Sequence, residues 1–341
     1  MIENTAANGA SEHALVDMLT GAWVTQLVAA VARMGIPDLL AAAGGQSSEA
    51  LARSLGADAE ALRRVMRAAC SVGVFAQVED GGYVLTELGE KLRSGQPGSM
   101  RDFFLAETDT VHRRSWDALV DAICTGEPQP KKVLGHTVFD YYGEHAEDGQ
   151  QFGRAMQNVS VMSEQGLMRN YDFSGRRRIV DLGGGNGSLL RSILQKNSQA
   201  SGVVFDLPYM ETQAVASIAG DGLGNRCCFE SGDFFERVPA ADMYLLRFIL
   251  HDWNDAASKQ ILQAIRAAAN PGARVVIVEM LLPETNEPGF AQLMDINMLV
   301  MTGGRERTGN EYGRLLTESG LRMVQTISTG TQFFVVEGEA A

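Results

Sequence analysis

The chain has 341 residues, 45% of them hydrophobic, which suits a globular protein of about two domains with a sizeable core. Its formal net charge of −13 argues against nucleic-acid phosphate or an anionic membrane as a partner. Cys70, Cys124, Cys227 and Cys228 form no Cys-x-x-Cys pair, so neither a disulfide framework nor a zinc site is expected, and no metal is implied.

The N-terminus through about Ala10 is polar, lacks the apolar core of a secretion signal and is expected to be disordered. No apolar run reads as long enough to cross a bilayer, and a reducing cytoplasm is the simplest location. From Ala14 to Ala32, apolar residues recur at helical spacing around Leu15, Leu19, Trp23 and Val31, as either core or a dimer face. Ser47 is a helix N-cap, and Asp58–Ser71 is a second helix. A strand over Val72–Val78, the Asp80-Gly81-Gly82 turn and Tyr83–Leu85 then form a hairpin.

Two helices and a hairpin make a winged-helix pattern. A DNA reader needs a basic footprint. Between Gln46 and Gly95 the acids Glu49, Asp58, Glu60, Glu79, Asp80, Glu87 and Glu90 outnumber the bases Arg53, Arg63, Arg64, Arg67, Lys91 and Arg93. The pattern therefore points to packing or dimerisation. Arg101–Thr125 reads as helical, the Gly126–Pro130 stretch breaks it, and Gln150–Asn170 is a long Met-rich helix. Its Met and aromatic positions suit core, and also a pocket for a flat apolar ligand.

From Arg178 strands alternate with helices, the mark of a parallel sheet. Strands are expected at Ile179–Leu182, Val203–Pro208, Arg226–Glu230, Met243–Leu246 and Arg274–Glu279, with a terminal hairpin over Leu321–Ile327 and Thr331–Glu337. The first strand runs into Gly183-Gly184-Gly185-Asn186-Gly187 and then a helix, the unit at which an open α/β sheet takes a cofactor. Its glycines follow Gly-x-Gly-x-Gly, and Ser188 stands where the dinucleotide fingerprint has its third small residue. Asp181 in the strand end would repel phosphate and suits an ammonium or sulfonium. Spacing alone leaves S-adenosylmethionine and a nucleotide both open.

Later strand ends are also polar. Asp206 lies about twenty residues past the glycine turn, the position of an acid that takes ribose hydroxyls. Asp233 is placed to accept from an adenine amino group while Phe234 packs on the ring. With the glycine turn, these favour an adenosyl ligand. His251, in Leu250-His251-Asp252-Trp253, sits at the active edge of the sheet, and an imidazole pKa near 6.5 suits a general base. Glu279 and Glu306 are the carboxylates that could fix its tautomer. Asp252 is expected to point elsewhere along the chain.

These words, in this order and spacing, with Gly303-Gly304-Arg305-Glu306-Arg307-Thr308, resemble the S-adenosylmethionine-dependent O-methyltransferases of the plant caffeic acid type, whose bacterial relatives modify antibiotics and pigments. The resemblance covers most of the chain. It implies an α/β, Rossmann-like methyltransferase sheet with an N-terminal winged-helix domain that dimerises. It divides the chain into a dimerisation domain at 1–100, a helical linker to the substrate pocket at 101–170 and a catalytic domain at 171–341. It implies S-adenosyl-L-methionine held by Asp181, Gly183, Gly185, Asp206, Leu207, Asp233, Phe234, Arg247 and Ser160. It makes His251 the base, flanked by Glu279 and Glu306, and places Trp116, Phe152, Met156, Trp253, Asp295 and Met298 at an aromatic, hydroxylated acceptor. Plant members carry Lys at Arg247 and often Met at Phe234, substitutions that keep charge and apolar contact. The loop between Glu279 and Asp295 is shorter than in plant enzymes, so plant substrates do not carry over.

The expected function is O-methylation of an aromatic secondary metabolite by a cytoplasmic homodimer. The alternatives are a non-methylating hydroxylase or decarboxylase on the same fold and, more remotely, a winged-helix regulator.

Overall fold

The computed structural model describes residues 5–285 and 287–340. The chain divides into two compact units: residues up to Arg113 with Ala146–Val159, and Arg114–His145 with Ser160–Ala341. The stretch 101–170, expected as one linker, is thus shared between them.

In the first unit a helix runs over Thr5–Arg33. The expected disorder is therefore corrected for residues 5–10, while residues 1–4 lie outside the described residues. Its Ala10–Arg33 part is long and apolar enough to cross a membrane by length and composition, so the expectation of no such run is also corrected. Val28, Val31 and Ala32 are buried in the unit's core with Ile36, Leu51 and Met66, whereas Leu15, Leu19 and Trp23 are exposed. The helices Ser48–Leu55 and Ala59–Ser71 start where Ser47 accepts from the Ala50 N–H and Asp58 from the Ala61 N–H. Short antiparallel strands β1 (Phe75–Gln77) and β2 (Tyr83–Leu85) complete the winged helix.

The predicted single helix over Arg101–Thr125 is three: Arg101–Glu107, Thr110–Asp117 and Leu119–Thr125. A side-chain cap explains the first break. Asp109 Oδ1 accepts the His112 N–H at 2.8 Å and starts a new helix there.

The second unit holds a seven-stranded sheet: β3 (Arg178–Leu182), β4 (Ser201–Asp206), β5 (Cys227–Ser231), β6 (Met243–Arg247), β7 (Arg274–Met280), β8 (Leu321–Ser328) and β9 (Phe333–Ala340). Their spatial order is β5-β4-β3-β6-β7-β9-β8. The first five are parallel, and the terminal hairpin adds β9 and β8 antiparallel to the edge. Apolar strands such as Ile179–Val180 and Leu245–Leu246 are buried, as a sheet covered on both faces requires. The order reverses direction at β3 and β6, where such sheets bind ligands beyond their carboxyl ends. Register aligns Leu182 with Leu246 and Arg247 with Val278. The glycine turn after β3, the His251 turn after β6 and Glu279 on β7 therefore emerge side by side.

Candidate active site

His251 lies on a single 3-10 turn, Leu250–Asp252. The turn follows Phe248, whose φ of 58° makes it the one non-glycine residue in left-handed backbone among the described residues. That conformation costs about 1–3 kcal/mol and persists only where its surroundings hold it. Glu279 supplies the hold: its Oε1 accepts the N–H groups of Ile249 and Leu250, both at 3.0 Å. Glu306 meets the imidazole directly, with Oε1 2.9 Å from Nδ1, and Glu279 Oε2 is 3.6 Å from the same nitrogen. Both glutamates are fully buried, and Oε2 of each has no hydrogen-bond partner.

Asp252 does not point away as expected. The tight turn folds its carboxylate back to 3.8 Å from Nε2. Burial opposes protonation of His251, but the charges of Glu279, Glu306 and Asp252 prevail and push its pKa up to about 10. Burial also raises Glu279, against the pull of His251.

The neighbouring turn requires its glycines for backbone conformation and for packing. Gly183, Gly185 and Gly187 all have positive φ. A Cβ on Gly183 would lie 2.3 Å from Ile249 Cδ1, and one on Gly187 2.5 Å from Val204 Cγ2. Asp206 Oδ2 accepts the Gly185 N–H at 2.7 Å and Oδ1 the Leu207 N–H at 2.7 Å, which ties the end of β4 to the turn. Beside the turn, Asp181 Oδ2 and Arg247 Nη1 are buried without hydrogen-bond partners. Burial raises the Asp181 pKa to about 6, although Arg247 opposes it. Burial lowers that of Arg247, with Asp181 and Glu164 opposing.

The family model for an O-methyltransferase domain matches residues 116–322, and that for an O-methyltransferase dimerisation domain matches residues 16–94. The phenazine O-methyltransferase PhzM of Lysobacter antibioticus is 37% identical over 99% of this chain and 99% of its own length. The O-demethylpuromycin-O-methyltransferase of Streptomyces alboniger is 36% identical over 98% of this chain and 90% of its own. Human N-acetylserotonin methyltransferase, solved in complex with S-adenosylmethionine, superposes with a TM-score of 0.90, at 28% identity over 97% of this chain and 98% of that one. The chain belongs to the S-adenosylmethionine-dependent O-methyltransferase family.

The methyltransferase's site residues fit that cofactor. The buried Asp181 carboxylate and Arg247 guanidinium, each with one atom lacking a hydrogen-bond partner while Arg247 Nη2 donates to Ser188 Oγ at 3.0 Å, complement an ammonium and a carboxylate, the two charged groups of a methionyl moiety. Asp206 keeps lone pairs for a diol beyond the two N–H groups it accepts. Phe234 is half-buried near Gly183, and Asp233 is exposed, with Oδ1 accepting the Phe235 N–H at 2.8 Å. Leu207 is exposed. Ser160 is buried on the long helix Ala146–Asn170, one turn before Glu164, whose charge acts on Asp181 and Arg247.

On the acceptor side, Trp253 packs edge-on against Phe234 and Phe235 and lies 6.5 Å from the Phe139 ring. Trp116 Nε1 donates to Asn297 Oδ1 at 2.8 Å, and Met298 beside it in sequence is buried. Asp295 Oδ1 accepts the Glu306 N–H at 2.9 Å, so this acid also steadies the glutamate behind His251. Phe152 and Met156 fall in the first unit, both half-buried. The sequence reading missed Asn297, Gly304 and Arg307. Arg307 stands inside a quoted motif, and its near-complete burial is what singles it out.

Proposed function

We propose that this methyltransferase acts on a hydroxyl of an aromatic secondary metabolite, with His251 as the general base. The observation that carries this is the imidazole fixed 2.9 Å from Glu306 at the mouth of the cofactor turn. With Nδ1 committed to that carboxylate, Nε2 is the nitrogen left for a substrate proton. S-adenosylmethionine supplies an electrophilic methyl group on a cationic sulfur. His251 takes the proton of the attacking hydroxyl, and Glu306 and Glu279 stabilise the imidazolium. Asp181, Gly183, Gly185, Asp206, Phe234 and Arg247 hold the donor, and Trp116, Trp253 and Met298 position a flat acceptor. Charge is neutralised at the reacting centre, so apolar walls do not oppose the step.

The phenazine and puromycin enzymes among its relatives support an aromatic acceptor. The N-terminal unit serves assembly as a homodimer, and the C-terminal unit carries the chemistry. The test is His251→Gln with S-adenosylhomocysteine affinity measured separately by calorimetry. Turnover should fall by about a hundredfold or more while affinity holds, and unchanged turnover ends the base assignment. Screening phenols and aromatic amines with labelled donor identifies the acceptor, and product mass separates methylation from hydroxylation or decarboxylation.

A further inference from the structure

Arg307 is the largest fully buried side chain of the described residues, with 1% of it exposed. Its charge partner is Asp255, which is itself half-exposed; Oδ1 accepts from Nε at 3.0 Å and from Nη2 at 2.8 Å. Burying a guanidinium is costly unless its donors are satisfied. Here they are, and two of the five acceptors are carbonyls on either side of His251. Nη1 donates to the Leu250 carbonyl at 3.0 Å, and Nη2 to the Trp253 carbonyl at 2.8 Å. Nη1 also reaches the Arg305 carbonyl at 3.2 Å and Nη2 the Ser258 hydroxyl at 3.4 Å, and the guanidinium lies 5.7 Å from the Tyr312 ring centre.

Within the 3-10 turn these carbonyls find only long contacts, the Leu250 carbonyl with the Trp253 N–H and the Ser258 hydroxyl, both at 3.3 Å, and the Trp253 carbonyl with that hydroxyl at 3.4 Å, so each still needs a well-placed donor. Arg307 fills that need on both sides of His251. The same segment supports the turn three further times. The Arg305 N–H donates to the His251 carbonyl at 2.8 Å, Gly304 leaves room for that carbonyl, and Glu306 holds the ring.

From this geometry we infer that Arg307 is a positioning residue for the reaction: its fork brackets the Leu250 and Trp253 carbonyls and thereby keeps the His251 imidazole on Glu306. The inference rests on the reading of His251 as base for its consequence in turnover, but its test does not. Lysine keeps the charge and has three donors on one nitrogen, so it cannot span both carbonyls and Asp255. One of the two carbonyls then loses its shortest hydrogen bond, the turn relaxes and Nδ1 draws away from Glu306. The charged or titratable groups around the ring are Glu279 on β7, Glu306 and Asp295 beside the motif, Asp252 on the turn and Tyr312 behind the carboxylates. None is altered by R307K.

The experiment is NMR titration of the His251 imidazole in the full chain with S-adenosylhomocysteine bound, the signal being assigned by its loss in H251Q. In R307K the midpoint should fall by about one pH unit or more toward the ordinary imidazole value, with S-adenosylhomocysteine affinity unchanged. A folded R307K protein with the parental midpoint overturns the inference, because a merely structural residue would lower the melting temperature and leave the titration alone. If R307K does not fold, D255N decides. Asp255 is surface-facing and is not among the groups that shift His251, so a lowered midpoint there reports loss of guanidinium orientation, and an unmoved one rejects it. Failure of the base assignment would appear separately, as unchanged turnover in H251Q.

Discussion

His251 and Glu306 are 55 residues apart in sequence, yet Nδ1 and Oε1 meet at 2.9 Å in a buried pair that Glu279 adjoins at 3.6 Å. The imidazole is pushed up to about 10 because these carboxylates outweigh its burial. A base with a raised pKa is protonated below that value and gains its active form as pH climbs through it. The acidic limb of kcat/KM should therefore lie above the ordinary imidazole value of about 6.5. Glu279→Gln removes the largest of the raising charges, so its limb should move to lower pH. The acceptor's own ionisation is common to both proteins and cancels in the comparison. A limb that stays in place or moves up would remove Glu279 from the pair.

Gly304 makes a second prediction from steric geometry. A Cβ built there would lie 2.0 Å from the His251 carbonyl oxygen and 2.4 Å from the Asp252 carbonyl carbon. Both are backbone atoms, so relief requires the catalytic turn to move. Gly304→Ala should cost about 1–3 kcal/mol of stability, as overpacking does. Its kcat should fall further than its S-adenosylhomocysteine affinity, since the glycine turn after β3 is not touched. Thermal melts and steady-state kinetics read the two effects, and parental kcat would mean that the turn tolerates displacement.

Cofactor affinity is the third. Asp206 carries the Gly185 and Leu207 N–H bonds at the end of β4. Asp206→Ala loses a charged acceptor from the turn, and charged hydrogen bonds contribute about 1.5–3 kcal/mol. Affinity for S-adenosylhomocysteine should drop by roughly ten- to a hundredfold in calorimetry. Unaltered affinity would exclude Asp206 from the donor site.

How much of this could be read from the chain follows from what local pattern encodes. Strand–glycine–helix at Ile179–Ser188 and the acids at 181 and 206 were legible, because sheet strand ends concentrate chemistry and glycine spacing is a local signal. The helix break at Thr108–Asp109 was hidden, since an unbroken apolar period outvoted one capping acid. Asp252 was misjudged because adjacent side chains diverge on a strand or a long helix but not on one 3-10 turn. Gly304 and Arg307 lie in a recognisable motif, but their roles are not legible there, because a glycine's need for space and an arginine's burial depend on which distant backbone arrives beside them. Only the register of β6 on β7 brings the His251 turn there.

The last prediction concerns assembly. On the helix Thr5–Arg33, Leu15, Leu19 and Trp23 are 67%, 65% and 68% exposed, while Val31 and Ala32 near its end are fully buried. The C-terminal end of the helix thus has its partners within the chain, and the exposed stretch before it does not. Residues 16–94 match a dimerisation domain, so a second copy is the natural cover for this exposed stretch. Burying a large apolar side chain contributes about 1.5–3 kcal/mol. Leu19→Glu with Trp23→Glu should therefore turn a dimer into a monomer in sedimentation at micromolar concentration. Because those side chains bury little within their own chain, the cofactor-binding unit should keep its affinity for S-adenosylhomocysteine. A parental chain that sediments as a monomer, or a double variant that stays dimeric, would place the interface elsewhere.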